Sequence, residues 1–68
     1  MTPATYVEQV RLETARRLLE TTTLPVDGVA EAAGFGTPES LRRTLARRVG
    51  LSPREYRARF GGGGARGG

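Results

Sequence analysis

The sequence contains no cysteine and no histidine. No disulfide can staple it, zinc loses its usual ligands, and neither a thiolate nucleophile nor an imidazole base is available. The serines, Ser40 and Ser52, each fall in the first turn of a predicted helix, a position that capping explains without chemistry. A hydrolytic triad would have no base, so the chain is not expected to be an enzyme. The longest apolar run is far shorter than a membrane span, and the N-terminus lacks a charged-then-apolar signal pattern. A soluble, cytoplasmic chain without a membrane partner is the expectation. At 68 residues there is room for one small domain that buries about 60% of its unfolded surface. Such a domain has little space for an enclosed cavity, and neither a cofactor nor a small-molecule ligand is expected.

What the sequence does have is basic charge, unevenly placed. Residues 1–40 hold three arginines against six acids, or −3, and residues 41–68 hold eight arginines against one acid, or +7. These sum to the formal net charge of +4. A basic half of this kind is the electrostatic footprint of a polyanion partner, although a solvated charged face gives the same count.

The basic half begins in the stretch GFGTPESLRRTLARRVG, residues 34–50. Thr37 is placed as N-cap, Pro38 as first helical residue, Glu39 as the acid of the first turn and Gly50 as a left-handed stop. A helix over about 38–49 follows. At 100° per residue, Leu41, Leu45 and Val49 form one stripe with Thr44 and the stem of Arg48 beside it. Glu39, Arg42, Arg43, Ala46 and Arg47 fall opposite.

Three further helices are legible. Thr2 as cap, Pro3 and a Met1–Tyr6 staple predict a long helix over about 3–21. Its expected apolar positions are Tyr6, Val7, Val10, Ala15, Leu18 and Leu19, with Leu12 widening the stripe. Thr21, Thr22 and Thr23 before Leu24–Pro25 end it in an extended connection. A short helix over about 26–33 turns Val29, Ala30 and Ala33 inward despite Gly28, stops at Gly34, and leaves Phe35 as a plug against the next helix. Small Ala30, Gly34, a hydrophobe and a new cap form the pattern of a helix-turn-helix over about 26–49, or of an ordinary helical hairpin. Ser52 with Glu55 as a capping box, Pro53, and Leu51 stapled onto Tyr56 predict a closing helix over about 53–60. Tyr56 and Phe60 are its core side chains, and Arg54, Arg57 and Arg59 its solvated ones. The Gly-rich tail, residues 61–68, reads as disordered, and its single Arg66 is too little for an RNA-binding tract.

Residues 6–60, above all RLETARRLLETT and VDGVAEAAGFGTPESLRRTLARRVGLSPREYRARF, resemble the C-terminal DNA-binding domain of AraC/XylS-type transcription regulators. The GFG turn and the T-x-E-S-L-R-R start of the basic helix look most like the subgroup that carries an N-terminal amidotransferase-like (PfpI-type) domain. The resemblance implies an all-α, three-to-four-helix, homeodomain-like helix-turn-helix with a long N-terminal linker helix. Family domains hold two helix-turn-helix units joined by a long helix. This chain matches the joining helix, the second unit and the closing helix, with MTPATY where a first unit would end, as in a truncated product or a remnant.

The resemblance implies sequence-specific binding of double-stranded DNA and transcription regulation, with the basic helix in the major groove. The positions matching the family's base-reading surface are Pro38, Glu39, Ser40, Arg42 and Arg43. Helix geometry independently turns Glu39, Arg42 and Arg43 outward. Arg43 suits a bidentate contact to guanine, Glu39 can accept from a cytosine amino group, and Arg42 fits a base or a phosphate. Thr37 and Arg47 are the phosphate candidates, assisted by the first backbone amides of the helix. Two other readings stay open. One is a helical interaction module or inert remnant with an apolar patch on its first helix. The other is a membrane-surface helix, which lacks the expected aromatic anchors.

Overall fold

The computed structural model describes residues 3–61. The predicted Thr2 cap, the Met1 staple and the tail from residue 62 onward, Arg66 included, lie outside the described residues. Four helices follow one another: α1 (Pro3–Thr21), α2 (Val26–Ala32), α3 (Pro38–Arg48) and α4 (Pro53–Phe60). No strand occurs among the described residues.

The helix boundaries follow the punctuation of the sequence. At the start of α3 the Thr37 hydroxyl accepts from the Ser40 amide at 3.2 Å. At the start of α4 the Ser52 hydroxyl accepts from the Glu55 amide at 3.1 Å while the Ser52 amide donates to the Glu55 carboxylate at 3.0 Å. That is a complete capping box. Gly34 ends α2 with φ +93°, a conformation that other residues rarely tolerate. Its amide donates to the Glu31 carbonyl at 3.1 Å and the Phe35 amide to the Ala30 carbonyl at 2.8 Å. This paired Schellman arrangement satisfies the last carbonyls of α2 and turns the chain toward α3.

Leu12, Ala15 and Leu19 of α1, Val29 and Ala30 of α2, Leu41 and Leu45 of α3, and Tyr56 of α4 form one core with Ala33. α1 packs against each of the other helices, and α2 packs against α3. Two turns of α1 depart from the expected stripe. Tyr6, Val7 and Val10 are 60%, 40% and 45% exposed, and Leu12, expected at the stripe's margin, is buried at its centre. The inward line is therefore 8, 12, 15 and 19.

α4 also differs from expectation. Phe60 is 53% exposed and leans on Tyr56, with ring centroids 4.8 Å apart, instead of entering the core. Phe35 is half-buried, a lid on the core more than a plug within it. Arg57, expected in solvent, donates to the carbonyls of Leu19 at 3.3 Å and Thr22 at 3.1 Å. α1 has no basic residue in its own last turn, and Arg57 supplies from α4 the cation that this helix end attracts. Gly61, expected at the head of the tail, closes α4 with its amide on the Arg57 carbonyl at 2.7 Å.

Candidate nucleic-acid interface

α3 is held from behind and open in front. Leu41, Thr44 and Leu45 are buried, which fixes the rotation of the helix and turns Glu39, Arg42, Arg43, Ala46 and Arg47 outward, all of them exposed. Thr37 is exposed at the helix start, and Pro38 and Ser40 are half-buried. Of the sequence-predicted base-reading residues, Glu39, Arg42 and Arg43 thus stand free of the core, while Pro38 and Ser40 sit at its margin.

The charged side chains are not equivalent. Arg43 approaches Glu39 at 3.9 Å across one helical turn, with both side chains more than 70% exposed. A pair so exposed contributes little and separates readily. Arg42 leans to one edge, where it lines an open cleft of about 400 Å³ with Val26, Asp27, Ser52, Pro53 and Arg54. Arg54 therefore shares this cleft with Arg42 and Asp27, from a helix that the periodicity of α3 does not reveal.

Arg47 lies at the opposite edge and is not a free cation. Its Nη2 donates to Oε2 of Glu8 on α1, and Nη2 of Arg48 donates to Oε1 of the same carboxylate at 2.7 Å. The hydrogen bond from Arg48 is the largest influence on the Glu8 carboxyl; desolvation opposes it, and the charges of Arg47 and Arg48 add to it, so the group is held below its usual range. Sequence reasoning missed Glu8. The available signal was its place one turn before Leu12 on the inward line of α1, where a charged residue requires a partner.

Chemically, the outward face offers planar guanidinium forks and one acceptor carboxylate on a rigid helix. Such forks match carboxylate, phosphate or guanine edges. No group of histidine, cysteine or acidic residues suited to a metal ion occurs among the described residues. None of their helices is long and apolar enough to cross a membrane.

The sequence profile of a family described as "Helix-turn-helix domain" matches residues 1–59. The chain is 52% identical over 58 residues to the HTH-type transcriptional regulator Rv1931c of Mycobacterium tuberculosis, covering 85% of this chain and 22% of the regulator. It is 34% identical over 58 residues to the RCS-specific HTH-type transcriptional activator RclR of Escherichia coli, covering 85% of this chain and 20% of the activator. The chain thus spans about a fifth of the length of these curated relatives. Among solved structures, the DNA-binding domain of AdpA, a global transcriptional factor captured with a target DNA, superposes with a TM-score of 0.88 at 37% identity. The match covers 100% of this chain and 60% of that one.

Proposed function

The chain belongs to the AraC-type helix-turn-helix family, and on that premise we propose that it binds double-stranded DNA through the outward face of α3 and serves transcription regulation. The observation that carries this reading is the rigid backing of α3 by Leu41, Thr44 and Leu45. It presents Glu39, Arg42 and Arg43 together, away from the core. Arg43 reads guanine, Glu39 accepts from a cytosine amino group, and Pro38 and Ser40 set how closely the helix start approaches the bases. Arg42 works at the groove edge beside Arg54. Thr37 and Arg47 contact phosphates, with the first amides of α3 assisting.

The GFG turn and the T-x-E-S-L-R-R start favour the subgroup that carries an amidotransferase-like domain. Like other regulators that act on DNA, such a protein would work in the cytoplasm.

The test compares Arg43→Ala with the unchanged chain on a duplex enriched from a random pool and on unselected duplex. Arg43→Ala is expected to remove about 1–3 kcal/mol from the enriched duplex and much less from the unselected one. Equal losses on both would reduce Arg43 to an electrostatic anchor. The competing reading, a helical module that associates through exposed Tyr6, Val7 and Val10, predicts complexes that do not weaken with salt.

A further inference from the structure

Glu8 stands where the inward line of α1 passes from carbon to charge. Leu12, Ala15 and Leu19 on that line are buried in the core. Glu8, one turn earlier, meets the end of α3 with its side chain 26% exposed. One carboxylate spans two successive guanidiniums, Arg47 on one oxygen and Arg48 on the other. A phosphodiester has two non-bridging oxygens with similar charge and a similar reach, so it fits the same pair of forks. Arg47 remains 56% exposed and Arg48 39%, which leaves both open to an incoming anion.

We propose that Glu8 is an intramolecular stand-in for a DNA phosphate, occupying Arg47 and Arg48 until a duplex displaces it. The inference rests on the DNA-binding reading above. Exchange of one anion for another cancels much of the gain that a free arginine would bring to phosphate binding. Glu8 thereby caps the sequence-independent part of the affinity and leaves Glu39, Arg42 and Arg43 a larger share of the total. Arg48 and Arg47 hold the carboxyl below its ordinary range, so the latch is charged near neutrality.

The experiment follows binding of the 68-residue chain to a short, labelled, random-sequence duplex by fluorescence anisotropy over a salt series. Glu8→Gln keeps the shape and removes the charge. Glu13→Gln removes the same charge from α1 beside Arg16, Arg17 and Glu20, away from α3. Glu8→Gln is expected to tighten binding about 3- to 10-fold at low salt and to steepen the log K against log [salt] slope by about one, because the one phosphate that meets the freed pair of guanidiniums releases roughly one counterion. Glu13→Gln should give a clearly smaller change. In an Arg47→Ala, Arg48→Ala background, Glu8→Gln should give no more than Glu13→Gln gives.

Equal effects of Glu8→Gln and Glu13→Gln in the unchanged background would reduce the gain to bulk charge and overturn the proposal. Weaker binding by Glu8→Gln, with helicity and melting preserved, would also overturn it, since Glu8 would then be aligning the arginines for DNA. If no variant and no unchanged chain binds even at low salt, the DNA-binding reading itself fails and the latch falls with it.

Discussion

Tyr56 carries the junction between α1 and α4. It is 2% exposed, yet its hydroxyl donates to the Glu20 carboxylate and accepts from Arg16 Nε at 3.0 Å. The Arg16 guanidinium also lies 5.7 Å from the ring centroid. Burial pushes the phenol above its usual range, and the Arg16 hydrogen bond opposes that shift. Tyr56→Phe keeps the packing but strips both partners, with an expected cost of about 1–2 kcal/mol in denaturant unfolding. No measurable loss would mean that water replaces the hydroxyl at both partners.

Glu8 carries a different signature, one of pH. Its carboxyl is held below the ordinary range when folded, so its contribution is complete above the unfolded pKa and lost as pH falls through the folded one. The unchanged chain should therefore be more stable than Glu8→Gln near neutrality, and the gap should close as pH falls through and below the ordinary carboxylate range. A gap that persists unchanged in acid would show that Glu8 acts through shape and not charge.

At the level of elements, α2 and the turn after it have few residues with which to hold α3. Leu45 is fully buried and Phe35 half-buried. Leu45→Ala should therefore cost about 2–5 kcal/mol. Phe35→Ala should cost nearer 2 than the roughly 3–5 kcal/mol of an enclosed ring. Thermal melting of both variants checks the order, and a larger loss at Phe35 would place that ring inside the core. Gly28 works the other way. A Cβ there would meet only ordinary contacts, the nearest at 3.6 Å on Leu24, so Gly28→Ala should stabilise by about 1 kcal/mol. In a domain of this size that raises the melting midpoint by roughly 4–8 °C; a fall would point to strain in α2.

The same elements show what a sequence can and cannot disclose. The starts of α3 and α4 were legible because Thr37–Pro38 and Ser52–Pro53–Glu55 each stack several local signals at one boundary, and such signals act within a turn of the residues that carry them. The facing of α1 was less legible. Tyr6, Val7 and Val10 continue an apolar periodicity, but whether that face is covered depends on where three other helices end. Glu8 was missed and Arg57 misplaced for a related reason. Each finds its partner 35 or more residues away in sequence, and periodicity within one helix carries no information about which charge another helix brings. The outward set Glu39, Arg42 and Arg43 was legible because Leu41 and Leu45 fix the rotation of α3 from within.

For the molecule as a whole, charge and fold converge on one surface. The +7 half of the sequence begins at residue 41, and α3 carries Arg42, Arg43, Arg47 and Arg48 on a helix whose rotation the core determines. The basic cleft between Arg42 and Arg54 lies along one edge of that surface, and the Glu8 latch lies along the other. A single recognition helix bounded in this way should bind unselected duplex in the range of about 10⁻⁴ to 10⁻⁶ M, weakening steeply with salt. The most direct test of the account is an NMR titration of the isotope-labelled chain with duplex DNA at low salt, following backbone amides and arginine Nε–H signals. The prediction is that shifts concentrate on Thr37 to Arg48, with the Arg42, Arg43, Arg47, Arg48 and Arg54 side chains moving, and that α1 responds only around Glu8, whose carboxylate leaves Arg47 and Arg48. Shifts confined to the first turns of α1, or absent from α3 at saturation, would contradict it.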